Sequence, residues 1–166
     1  HIQFLIRKLY MVREQTTDPV LSTKLHRPPV DRNCVHRPHL IARLDQYRDR
    51  SATLVSAPAG YGKSILISSW LEACEDPAAW ISLDKSDNDL RTFMTYLVTA
   101  VETLFPNVCR KTQVLLNTPN LPPTESLSTS MLNELDRIEQ PFIMVLDDYY
   151  RIKETTVHKL ITEILK

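Results

Sequence analysis

Glycine is nearly absent: 2 residues in 166, Gly60 and Gly62, where average usage near 7% predicts roughly a dozen. Both fall in one three-residue window, so the chain reserves its most permissive backbone for a single place. Cysteine is also sparse. Cys34, Cys74 and Cys109 are odd in number and far apart, and form no CxxC pair. That excludes a disulfide framework and a zinc-ribbon signature, and it suits a reducing cytoplasm. Net charge is zero, so the chain as a whole carries no field that calls for nucleic acid or a membrane surface. No apolar run is long enough to span a bilayer; the stretch Ile2 to Val12 is broken by Arg7 and Lys8 and lacks a signal-peptide cleavage pattern. Residues 1–10, which begin at His1, are a cloning remnant, an upstream in-frame translation or part of a longer chain.

What is present is an ordinary globular composition, 43% apolar and 24% charged, in a chain long enough for one domain with a core. The charge is uneven: residues 1–50 hold ten Lys/Arg against five Asp/Glu, and the rest hold ten against fifteen. This fits a solvated surface beside a polyphosphate site better than a dedicated nucleic-acid face. Residues 1–20 are read as a poorly ordered extension and residues 21–166 as the domain. Residues 13–36, marked by Pro19, Pro28 and Pro29, read as an extended lead-in.

From Arg37 the periodicity becomes helical (Leu40, Ile41, Leu44, Tyr47), with Pro38 in the first turn and an end near Arg50. Ala52 to Ala57 reads as a short buried strand, and Lys63 to Cys74 as a helix. Ala79 to Leu83 reads as a second strand. Asp89 is placed to cap a helix through Phe93, Leu97 and Val101 that Pro106 stops. Residues 107–123 form a connector with one short helical stretch through Val114 to Leu116, and a helix begins at Thr124 or Ser126. Phe142 to Leu146 is a third, strongly apolar strand, followed by a helix over Thr155 to Leu165. Strands alternating with helices call for an α/β fold with a parallel sheet flanked by helices.

The run Ala57-Pro58-Ala59-Gly60-Tyr61-Gly62-Lys63-Ser64 matches the phosphate-loop pattern GxxxxGK(S/T), the Walker A motif, with Ala57 at the first Gly position. Gly60 and Gly62 allow successive N–H groups to point into one concavity, ahead of a helix N-terminus that favours anions. Lys63 is placed to reach the β- and γ-phosphates, and Ser64 to offer a hydroxyl to Mg²⁺. About eighty residues on, the strand ending in Asp147-Asp148 supplies the Walker B partner: Asp147 to hold a water on Mg²⁺, and Asp148 to orient or polarise an attacking water. Such a site takes ATP or ADP with Mg²⁺; the loop reads phosphates and not the base. Trp70 and Trp80 read as core. Asp84, Asp87 and Asp89 read as loop and cap carboxylates, since the spacing lacks the Gly and distal Glu of a calcium loop. His26, His36 and His39 make no metal site.

Several segments together, LSTKLHRPPV (21–30), HRPHLIARL (36–44), LVSAPAGYGKS (54–64), AWISLDKSDND (79–89) and PFIMVLDDYY (141–150), resemble the N-terminal nucleotide-binding domain of the MalT-like regulators. These are large ATP-dependent LuxR-type transcriptional activators of the STAND class of NTPases. The resemblance covers about residues 21–160. It implies a signal-controlled switch, resting with ADP, that self-associates with ATP and an inducer and is reset by hydrolysis. It places Arg37, with Val35 and His36, near the adenine, and Tyr150 where a His is common. It also implies a P-loop NTPase sheet incomplete at the C-terminus, because the strand that follows Asp147-Asp148 inserts between the phosphate-loop strand and the Asp-bearing strand. These residues are therefore expected to be a fragment with a gap at the sheet centre, exposed apolar edges and marginal stability. ATPase activity is expected of the full-length protein and is weak or absent here. DNA contact belongs to a domain outside these residues, and the setting is cytoplasmic, without a membrane. The competing readings are a metabolic P-loop kinase or phosphotransferase, which calls for an acceptor pocket and an Arg-rich lid, and a non-hydrolysing nucleotide scaffold.

Overall fold

The strand patterns decide the architecture. In the computed structural model, which describes residues 20–31 and 33–165, β1 (Ala78–Ser82) and β2 (Ile143–Asp147) pair in parallel with Ala78 opposite Ile143 and Ser82 opposite Asp147. All of the expected N-terminal extension except Val20 lies outside the described residues. Side chains alternate between the two faces of the pair, as the pleat requires. Ala79, Ile81, Met144 and Leu146 join the main core with α3 (Leu90–Leu104), α5 (Thr124–Leu135) and α6 (Thr155–Ile164). Trp80, Ile143 and Val145 face the other way, onto Trp70 and Leu71 of α2 (Lys63–Ala73) and Ile41 and Leu44 of α1 (Pro38–Gln46). A parallel two-stranded sheet flanked by helices on both sides is a partial α/β P-loop fold. Trp70 and Trp80 are core, as expected, each no more than 8% exposed.

Local chemistry explains the helix boundaries. Pro38 sits in the first turn of α1. Asp89 caps α3, accepting from the Thr92 N–H at 2.8 Å. Helix α4 (Arg110–Leu116) starts earlier than the short stretch through Val114 to Leu116 expected from the sequence. The reason is tertiary: the buried Glu134 carboxylate of α5 accepts from the Lys111 N–H at 2.7 Å and the Thr112 N–H at 3.1 Å, satisfying first-turn donors that α4's own sequence leaves free.

One expectation needs correcting. Ala52 to Ala57 forms no strand; the segment carries no regular secondary structure, and Leu54 is 87% exposed. A strand exists only where a neighbour accepts its backbone hydrogen bonds. Here a cleft of about 1160 Å³ lies between residues 51–57 and β2, lined also by Leu44, Trp70 and Trp80. Among the described residues no strand fills it. The cleft lies where the resemblance leaves room for an inserted strand. Facing the same cleft, β2, the strongly apolar strand, is half-buried at all five of its positions.

Candidate nucleotide site

The loop from Ala57 to Ser64 joins the cleft wall to α2, and its backbone requires its two glycines. Gly60 has φ +81° and Gly62 φ +71°, both in the left-handed region that side chains rarely adopt. Gly62 is the N-cap of α2, so the loop turns its last residues into the positive end of an eleven-residue helix. A Cβ at Gly62 would lie 3.9 Å from Arg37 Nη2. Arg37 reaches the loop from outside: its Nη1 donates to the Tyr61 carbonyl at 2.8 Å. Lys63 folds back over the loop, where its ammonium donates to the Ala57 carbonyl at 2.9 Å and the Pro58 carbonyl at 3.2 Å. An ammonium held by two neutral backbone carbonyls keeps its charge, and it can exchange those acceptors for an anion, which binds it more strongly.

The second half arrives from 83 residues away. Ser64 Oγ donates to Asp147 Oδ1 at 3.0 Å, bringing the first turn of α2 against the end of β2. The same oxygen accepts the Asp148 N–H at 3.0 Å. Asp148 has φ 57°, a left-handed conformation uncommon outside glycine, at the point where the chain leaves the sheet. Its carboxylate turns to Arg151, 3.3 Å from Nε, and not toward Lys63 or Ser64. Tyr149, the next residue, shares a 2.7 Å hydrogen bond with His158 Nδ1 of α6, and burial holds its hydroxyl pKa above the ordinary value.

The structure thus brings Gly60, Gly62, Lys63, Ser64 and Asp147 to one end of the sheet, with Arg37 on the outer side of the loop. Ser64 and Asp147 present two hard oxygen donors in contact, a set that suits Mg²⁺, which takes few protein ligands and keeps several waters. No group of three or more His, Cys, Asp or Glu side chains is arranged for a metal among the described residues.

Sequence reasoning missed the polar support behind this edge. Lys24 is 8% exposed, and its ammonium lies 2.8 Å from both oxygens of the fully buried Asp87 and 2.9 Å from Asp84 Oδ2. Burial pulls the Lys24 pKa down, but the hydrogen bonds its ammonium donates to Asp87 and Asp84 outweigh it and leave the value above 10.5. Asp84 is held at about 2, first by its Ser86 hydrogen bond and then by Lys24. Asn88, between these groups and the Asp147-Asp148 connection, also went unremarked. The only sequence signal was the density of Asp and Asn over Asp84 to Asp89.

Comparison with known proteins gives one consistent relationship. No family model matches the chain. Over 140 residues, 84% of its length, it is 33% identical to the protein named HTH-type transcriptional regulator MalT from Yersinia pestis (strain Pestoides F). The protein of that name from Yersinia enterocolitica (serotype O:8 / biotype 1B) is also 33% identical over 140 residues. The chain spans 15% of the length of these curated relatives. No helix among the described residues is long and apolar enough to cross a membrane.

Proposed function

We propose that this MalT-like chain is the nucleotide-binding part of a transcriptional regulator, taking ATP or ADP on the loop Ala57 to Ser64 with Mg²⁺ at Ser64 and Asp147. The observation that carries the reading is the 3.0 Å contact between Ser64 and Asp147, beside a loop whose two glycines are left-handed. The chain's only glycines, a folded-back lysine and a distant carboxylate gathered at one helix N-terminus support the reading of a polyphosphate site.

In this reading the loop N–H groups and the α2 terminus hold the phosphates. Lys63 leaves the Ala57 and Pro58 carbonyls for the β- and γ-phosphates. Arg37 braces the loop through Tyr61 and lies toward the base. Mg²⁺, when bound, neutralises charge on the phosphate oxygens. Asp148 orients a water once released from Arg151, and hydrolysis in this chain is slow because other parts of the whole protein complete the site. The regulatory consequence is a switch of the STAND kind: ADP keeps the whole protein at rest, while ATP together with an inducer promotes self-association in the cytoplasm, and DNA is met through another part of the protein.

The test is titration of the chain with a fluorescent ADP or ATP analogue and Mg²⁺, alongside Lys63→Ala. Saturable binding that is lost in the variant supports the site. Equal behaviour of two folded proteins, judged by circular dichroism melts, refutes it.

A further inference from the structure

Asp87-Asn88-Asp89 is a run in which each residue holds a different part of the molecule. Asp87 takes Lys24 from the lead-in and the Asp84 N–H at 2.7 Å. Asp89 caps α3. Asn88 uses all of its amide. Oδ1 accepts from the Lys153 N–H at 2.6 Å and the Glu154 N–H at 3.0 Å, while Nδ2 donates to the Arg151 carbonyl at 3.1 Å and the Lys85 carbonyl at 3.0 Å. Two backbone donors meet the oxygen and two backbone carbonyls meet the nitrogen, so the amide has one satisfying orientation.

Three of those four bonds go to residues 151–154, the connection between Asp147-Asp148 and α6. That connection is short and internally tied: the Arg151 N–H donates to the Asp148 carbonyl at 3.0 Å, and the Ile152 N–H to the Tyr149 carbonyl at 3.0 Å. At its start, the Leu83 N–H donates to the Asp147 carbonyl at 3.0 Å. The left-handed backbone at Asp148 is therefore fixed on one side by the sheet and on the other by Asn88. We infer that Asn88 is a positioning residue for the Ser64–Asp147 oxygen pair: by clamping residues 151–154 it sets the backbone that aims the Asp147 carboxylate at Ser64. The inference rests on the proposed function insofar as that pair is where Mg²⁺ binds. Asn88 touches neither Ser64 nor Asp147, so its effect should resemble that of outer-shell partners of metal ligands.

The experiment titrates Mg²⁺ into the full chain with a fluorescent ATP analogue, and measures amide hydrogen exchange without nucleotide. For Asn88→Ala the Mg²⁺ concentration at half-maximal signal should rise severalfold, up to about the tenfold that marks the loss of a partner bonded directly to a metal ligand. Affinity for the analogue in EDTA should stay unchanged, and exchange at Lys153 and Glu154 should quicken. Asn88→Asp keeps the oxygen that takes both N–H groups and should show a smaller rise in the same direction, which serves if the alanine variant does not fold. A lower melting temperature with an unchanged Mg²⁺ midpoint would make Asn88 merely structural and overturn the inference, as would unchanged exchange at Lys153 and Glu154. If the unaltered chain itself ignores nucleotide and Mg²⁺, the proposed function fails first and the positioning role with it.

Discussion

Lys24→Met should be among the most destabilising single changes in this chain that leave the core volume intact. The methionine keeps an apolar stem of similar length against Tyr96, whose ring centroid lies 4.6 Å from the Lys24 ammonium, so packing is largely retained. What disappears is the charge facing Asp87, a carboxylate with 0% exposure. Asp87 would keep the Asp84 N–H at 2.7 Å and little else. Removing one partner of a buried pair typically costs about 3–5 kcal/mol, and the surviving N–H places this case near about 3. Asp84 adds little to that cost, because its side chain is 47% exposed and water replaces the lysine. In a protein of this size about 3 kcal/mol corresponds to a fall in melting temperature of about 6–12 °C. Urea denaturation followed by circular dichroism should show a lower midpoint with an unchanged slope. Asp87→Asn in the same molecule removes the stranded charge and should recover much of the loss, a coupling that a double-mutant cycle reads directly. A loss below about 1 kcal/mol, the worth of an exposed pair, would show that water reaches Asp87 and would refute the reasoning.

Two further outcomes are expected. Asp84 lies at about 2 against an ordinary 3.8, so its contribution is present above the ordinary value and is lost as pH falls toward 2. Lys24 is shifted the other way, so its contribution is full below 10.5 and fades only as pH rises past its raised folded value. Denaturant midpoints measured against pH should therefore show an acid loss that Ser86→Ala reduces, since Ser86 is the largest cause of the Asp84 shift; superimposable acid limbs would contradict this. Cys109 is fully buried, and its thiol is pushed up to about 12 by burial, then by Glu134 and Glu102. Iodoacetamide at neutral pH should spare Cys109 in the folded chain and label it in urea, as peptide mass spectrometry would read; labelling of Cys109 in the folded chain would mean that α4 opens readily.

Much of the candidate site could be read in the sequence because its loop is local. Gly60, Gly62, Lys63 and Ser64 lie within five positions, and the backbone they require follows from their own chemistry. The same holds for Pro38 and Asp89, whose effects reach no further than the next turn. Asp147 could be read as the end of an apolar strand, but its contact with Ser64 spans 83 residues and rests on how α2 packs on the sheet through Trp70 and Trp80. For Asn88 and Lys24 the density of Asp and Asn over Asp84 to Asp89 names no partner, because an Asn that binds backbone carries the same letter whether its partners are near or 66 residues on. The early start of α4, ahead of Val114, was not legible for the same reason: the donor-satisfying group is Glu134, on another helix.

By itself the sequence determined that the chain bends left-handed at Gly60 and Gly62, and which faces of its helices and strands are apolar. Each of these is set by dihedral freedom or by periodicity over a few residues. Tertiary structure alone decided that Ala52 to Ala57 is no strand and that β2 is only half-buried. An apolar β-prone run becomes a strand only if a partner edge lies within hydrogen-bonding distance, and here a cleft stands between them.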